Sequence, residues 1–145
     1  MPKTNNIEIK LAENKKELNQ IFRIREIVFI KEQNVPKGIE MDEFDTTSKH
    51  FIVLHNTKPI GCARIRFTNK KAKLERIAIL KKYRGKGFGK ILMDYLIDYY
   101  EDNDATDIFM NSQFYLKDYY KKFGFEPRGK TFMEASIKHI EMHKR

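Results

Sequence analysis

Residues 81–89, KKYRGKGFG, combine four cations with three alternating glycines. Glycine lets a backbone turn sharply and approach a ligand closely, and cations beside it favour an anion. The apolar positions Ile91, Leu92, Tyr95, Leu96 and Tyr99 follow at helical spacing. The turn therefore feeds a helix N-terminus, where unpaired N–H groups and the helix dipole attract negative charge. Spacing excludes two phosphate loops. A P-loop needs four residues between its glycines and a Ser or Thr after its Lys, but three residues separate Gly85 from Gly89 and Ile91 follows Lys90. A dinucleotide fingerprint needs a third glycine where Lys90 stands. What fits is R-x-x-G-x-G, at Arg84, Gly87 and Gly89.

Other side chains carry reactive or charged groups. Glu40, Asp42, Glu43 and Asp45 form the one acidic concentration in a basic chain. They read either as partners for nearby lysines or as a recognition surface for a cationic amine. Arg64 and Arg66, two apart, share a strand face and read as an anion site, as partners of the acidic loop or as solvated surface. His50 and His139 are candidates for proton transfer, the imidazole being the side chain suited to it near neutral pH, though a lone His is more often structural. Cys62, inside an apolar strand, reads as core packing rather than as a nucleophile. No D-x-[DN]-x-[DN]-G loop and no Cys/His group with zinc spacing is present, so no metal is expected.

The elements that must position these groups follow from periodicity. Residues 7–11 alternate as a strand. Asn14 caps a helix with Glu17 three residues on, and the helix runs to about Gln33, before Pro36. Strands are expected over 50–55, 60–67 and 72–79, joined by turns at 56–59 and 69–71 into an antiparallel meander. The basic turn and its helix come next, then a strand over 107–111 and a helix over 113–123 stopped by Gly124. Phe125, 131–134 and 136–140 read as closing strands, with helix the alternative for the last. The fold class is α+β: a mixed, mostly antiparallel twisted sheet flanked by helices, in one domain over 1–145.

Composition bounds the rest. The 41% hydrophobic and 34% charged content suits a soluble globular chain. No apolar run approaches a membrane span, and the N-terminus MPKTNNIEIK lacks a signal peptide's apolar core. A single cysteine cannot form an internal disulfide, so a reducing, cytoplasmic setting is expected. The net charge of +9 suits a polyanionic partner, but no zinc-finger, homeodomain or RRM signature is present. Nucleic acid and membrane are not the expected partners; a homodimer stays open.

The turn resembles the pyrophosphate-binding signature of the GNAT N-acetyltransferase superfamily, and the order of elements resembles that fold over almost the whole chain. Tyr119-Tyr120-Lys121-Lys122-Phe123-Gly124-Phe125 is similar to a second family segment. VFIKEQNVP (28–36), DEFD (42–45) and MEASIKHIEM (133–142) are similar to its ElaA/YjcF-like branch. The resemblance implies an N-acetyltransferase that passes an acetyl group directly from acetyl-CoA, the cosubstrate, to a primary amine of a small molecule, peptide or protein. The competing reading is a non-catalytic protein of similar fold that senses CoA or binds nucleic acid. In the enzyme reading, Arg84, Gly85, Lys86, Gly87, Phe88, Gly89 and Lys90 hold the pyrophosphate. Ile77, Ala78 and Ile79 pair main-chain groups with the pantetheine arm. Asn111 adds a polar contact or caps the following helix. Tyr120 is the implied general acid for the departing thiolate. A lysine-like amine of pKa ~10.4 is neutral only about once in 10³ at pH 7, a handicap of ~4–5 kcal/mol, so a base is expected. Glu75 is the first candidate, two residues from Ile77 and so on its strand face; Glu32, Asp42, Glu134, His50 and His139 are the others.

Overall fold

The structure, a computed structural model, describes residues 6–102 and 107–144; residues 1–5, half of the stretch read for a signal peptide, lie outside the described residues. Seven strands form one sheet: β1 (Ile7–Leu11), β2 (Lys49–His55), β3 (Lys58–Thr68), β4 (Lys71–Ile79), β5 (Asp107–Gln113), β6 (Glu126–Glu134) and β7 (Ile137–Lys144). Their order is β1-β2-β3-β4-β5-β7-β6. Among the described residues only the β4–β5 pairing is parallel, and the helix α3 (Phe88–Asp102) lies between those two strands in the chain. The α+β architecture and the 50–79 meander are as expected.

The sheet separates two apolar layers. On one face α1 (Lys15–Arg25) buries Ile21 and Ile24 against Ile52, Cys62 and Ala78. On the other, α3 buries Leu92, Met93 and Leu96 against Phe51, Val53, Ile65, Leu74 and Ile108. The α1 cap forms as its sequence predicts, with the Asn14 side chain accepting from the Glu17 N–H at 2.9 Å. The helix expected to run to Gln33 changes form partway. Residues Glu26–Glu32 are a π-helix, a wide turn common at functional sites, and a four-residue α2 (Lys37–Glu40) follows.

Two expectations shift at the C-terminal end. The helix expected over 113–123 is a 3₁₀ turn (Phe114–Leu116) and a short α4 (Lys117–Lys121), because β5 itself runs on to Gln113. Asn111 therefore lies inside a strand, opposite Glu141, and caps no helix. The last segment is strand, not helix, and pairs with β5.

Beneath the sheet's α1 face lies an ion layer. Arg25 and Arg64 are fully buried. Arg25 donates to Glu40 and Asp45, each at 2.7 Å. Arg64 donates to Asp42 at 2.7 Å, Asp45 at 2.8 Å and Glu75 at 2.8 Å. Arg76 reaches Glu40 and Asp42. Of the four carboxylates read as partners for lysines, or as a surface for an amine, Glu40, Asp42 and Asp45 are instead matched to the buried Arg25 and Arg64. An Arg25 on the apolar stripe of α1 was the sequence sign of such a layer. Arg64→Leu removes the cation but leaves three carboxylates buried or half-buried, so a loss of about 3–5 kcal/mol in unfolding free energy is expected, read by denaturant titration. A loss near zero would show that the layer relaxes into water.

Candidate active site

The site begins where β4 and β5 part. Their pairing runs from Lys71↔Asp107 to Leu74↔Met110 and stops. Beyond it β4 continues to Ile79 and β5 to Gln113 without facing each other, and the gap opens as a cavity of about 170 Å³. Phe29 of the π-helical stretch, Gln33 just after it, Ile77, Asn111, Tyr120, Glu134 and His139 are among its lining residues. On its β3 side, β4 stays paired: Ala78 opposes Cys62 and Ile79 opposes Gly61. On its β5 side, residues 75–79 present a free strand edge that an extended amide-bearing ligand can pair with.

A bulge shapes that edge. Between Arg64↔Glu75 and Cys62↔Ala78, two β4 residues stand against one on β3, and Arg76 takes a left-handed φ of 55°, a conformation that costs a non-glycine residue energy. The bulge resets the strand's alternation. Ala72 and Leu74 face the α3 layer before it, Ile77 and Ile79 after it, while Ala78 faces α1. Glu75 thus does not share the face of Ile77, contrary to the two-residue spacing; it turns toward Arg64, Arg66 and Lys73. Burial works to raise its pKa, but Arg64, Lys73 and Arg66 outweigh that and hold the carboxyl below its usual range. This makes Glu75 a weak proton acceptor and a strong fixed negative charge.

At the far end of β4 the glycine turn leads into α3, which starts at Phe88, three residues before the first apolar position of the sequence pattern. The first helical bond runs from Ile91 N–H to Gly87 carbonyl, so the N–H groups of Phe88, Gly89 and Lys90 are left for a ligand. Gly85 and Gly87 hold φ of 75° and 88° with open space around them, as a backbone cradle for an anion requires. The other members of the motif have distinct tasks. Phe88 is buried beside His55 and Tyr83 and anchors the turn. Gly89 admits α4, since a Cβ there would meet the Tyr119 hydroxyl at 2.9 Å. Lys90 pairs with Asp94 at 2.9 Å, and Lys86 is exposed with no ion pair among the described residues.

Arg84 corrects the sequence reading. Its side chain is not presented as a free phosphate partner: Nε donates to the Ile79 carbonyl at 2.8 Å, and both terminal nitrogens grip Glu32 at 2.6 and 2.9 Å. It braces the turn against the π-helical stretch. The brace also commits Glu32, one of the candidate bases. Gln113 ties the same stretch to β5 through Gln33 at 2.8 Å. Nothing in the sequence pairs Glu32 with Arg84 or Gln33 with Gln113, because both contacts join segments far apart in the chain.

Tyr120 is fixed by its own helix end. Gly124, at φ 93°, closes α4 with paired bonds, Gly124 N–H to Lys121 carbonyl and Phe125 N–H to Tyr120 carbonyl. This is a Schellman motif, with the Phe125 ring edge-on to Tyr120 at 6.4 Å. It holds Tyr120 buried in the cavity wall. Burial pushes the phenol well above its ordinary pKa, so the hydroxyl keeps its proton.

The remaining candidates separate. His50 sits in the ion layer with Nε2 2.7 Å from the Asp45 carbonyl oxygen, and burial lowers its pKa; it is away from the cavity lining. His139 lines the cavity, with Nδ1 2.7 Å from the Ile137 carbonyl oxygen and its ring stacked on Phe132. Asp42 is held by Arg64 and Arg76. Cys62 is buried, which pushes its thiol up to about 12, so it packs and does not attack. Among the described residues there is no group of His, Cys, Asp and Glu able to hold a metal, and no helix long and apolar enough to cross a membrane.

Comparison with known proteins agrees with this geometry. The acetyltransferase (GNAT) domain family model matches residues 14–145. The chain is 39% identical over 135 residues to the uncharacterized N-acetyltransferase YjcF of Bacillus subtilis, covering 92% of this chain and 96% of that one. The crystal structure of Escherichia coli ElaA superposes with a TM-score of 0.86 at 22% identity, over 96% of this chain and 99% of that one. A Bacillus subtilis acetyltransferase in complex with CoA superposes with a TM-score of 0.71 at 15% identity, over 95% and 97% of the two chains. From its motifs, its sheet and these likenesses, the chain belongs to the GNAT acetyltransferase family, on the branch of YjcF and ElaA.

Proposed function

We propose that this acetyltransferase takes the acetyl group of acetyl-CoA and passes it to a primary amine in the cavity between β4 and β5. The observation that carries the reading is the gap between β4 and β5, with the free edge of β4 on one side and Tyr120 in its wall, and with β4 leading on into the glycine turn at the N-terminus of α3. The backbone N–H groups of 88–90, with the space around Gly85 and Gly87, fit a pyrophosphate, and Lys86 adds an unpaired charge. Main-chain groups of Ile77 and Ala78, with Asn111 across the gap, fit an amide-bearing arm; the Ile79 carbonyl is already taken by Arg84.

In the transfer, the amine nitrogen bonds to the acetyl carbon as the carbon–sulfur bond breaks. The nitrogen gives up one proton and the sulfur receives one. Tyr120 supplies a hydroxyl proton to the sulfur. Glu75 stays ionised beside Arg64 and Lys73, and the proton released from the amine goes to solvent water.

Thermal unfolding tests the ligand side. CoA at 100 times its Kd is expected to stabilise the protein by about 2.7 kcal/mol, while generic duplex DNA at physiological salt gives no shift. A melting temperature indifferent to CoA, with sequence-preferring DNA binding that survives about 200 mM salt, would favour the nucleic-acid reading instead.

A further inference from the structure

Five carboxylate, ammonium or guanidinium side chains, Glu40, Lys73, Glu75, Arg76 and Glu134, line the cavity together with the His139 imidazole, and four of the five are committed. Glu40 is held by Arg25 and Arg76, Glu75 by Arg64 and Lys73, and Arg76 also by Asp42. Glu134 alone has no ion pair or hydrogen-bonded side chain among the described residues. It ends β6, opposite Ile137 across a two-residue turn in which Ala135 and Ser136 both hold left-handed φ, 51° and 63°. So tight a turn fixes the Glu134 backbone at the cavity rim. Beside it the cavity offers apolar surface that water reaches: Ile39 is 49% exposed and Tyr115 74%. Both side chains give the apolar part of a ligand a surface on which to leave water.

An unpaired carboxylate over such a surface selects a cation. That cation is not the reacting amine, because a neighbouring carboxylate favours the ammonium form, which has no lone pair for attack. We propose that the acceptor carries two basic groups on an apolar spacer: one amine takes the acetyl group, and the second, still charged, sits against Glu134 while the spacer lies over Ile39 and Tyr115. The inference rests on the acetyl-transfer reading above and names the class of amine that site accepts.

The test compares straight-chain α,ω-diamines of about three to six carbons with the monoamine and the ω-amino acid of matching length, using the wild-type protein, Glu134→Gln and Glu134→Lys. A charge-assisted contact at a partly exposed site corresponds to about tenfold in affinity. At the preferred length, kcat/KM for the diamine is therefore expected to exceed that for the monoamine about tenfold, with the amino acid below both. Glu134→Gln should bring the diamine-to-monoamine ratio close to one, and Glu134→Lys should place the amino acid first. Equal acetylation of diamine and monoamine at every length, or a diamine preference that Glu134→Gln leaves intact, overturns the proposal and leaves acetyl transfer standing. Acetylation of none of these amines overturns the proposal together with the reading on which it rests.

Discussion

Gly87→Glu is expected to weaken acetyl-CoA binding by 10²-fold or more, or about 2.7 kcal/mol, with the fold kept. Two effects add. Gly87 holds φ of 88°, where an L residue is strained by roughly 1–2 kcal/mol and the turn tends to open. The new carboxylate also brings like charge to the place where backbone N–H groups must meet a pyrophosphate. No heavy atom lies within 4 Å of a Cβ built there, so packing gives no reason for unfolding. Gly87→Ala, measured beside it, isolates the strain from the charge. Isothermal titration showing wild-type affinity in Gly87→Glu would remove this turn as the cofactor's anchor.

Tyr120→Phe is expected to lower kcat by about 10²-fold while the Kd for acetyl-CoA stays within a factor of two. Proton donation matters only as the sulfur departs, and a positioned acid is worth about 10²–10⁴-fold. The substitution keeps the ring that packs edge-on against Phe125 and Tyr119, so α4 and its Schellman end are preserved. A tyrosine with only a packing role would give the opposite pattern: unchanged kcat and a stability loss of roughly 1 kcal/mol if its hydroxyl is hydrogen-bonded. Wild-type kcat under conditions where chemistry limits the rate would assign the sulfur's proton to another group or to water.

The parts of the site that local chemistry dictates were legible in the sequence. Alternating glycines before a helix led to the anion cradle because positive φ and a free helix N-terminus are properties of a few adjacent residues. Tyr120 came from the likeness of 119–125 to a family segment, and the structure places it in the cavity wall. Long-range contacts were not legible. The Arg84 motif residue looked like a phosphate ligand until Glu32, 52 residues away, was seen to occupy its fork. Glu75 seemed to share the face of Ile77 because a strand's period is two, and the bulge at Arg76 that breaks the period has no glycine to announce it. The boundary between α-helix and π-helix near Glu26 likewise has no local marker such as proline or glycine. Of the acidic loop's partners, Arg64 was among the readings the sequence offered and does pair with Asp42 and Asp45, whereas Arg25 and Arg76 reach the loop from segments whose approach no local pattern announces.

In the proposed reaction the gap between β4 and β5 carries acetyl from a thioester to an amine. Its most direct test is release of CoA thiol from acetyl-CoA, with the N-acetylated product identified by mass, across a panel of primary amines that includes the diamine series. The predicted result is amine-dependent thiol release by the wild-type protein, matched one for one by N-acetyl product, and reduced about 10²-fold or more at sub-saturating acetyl-CoA in Gly87→Glu. Thiol release that ignores the amine, or acetylation that persists unchanged in Gly87→Glu, would contradict it.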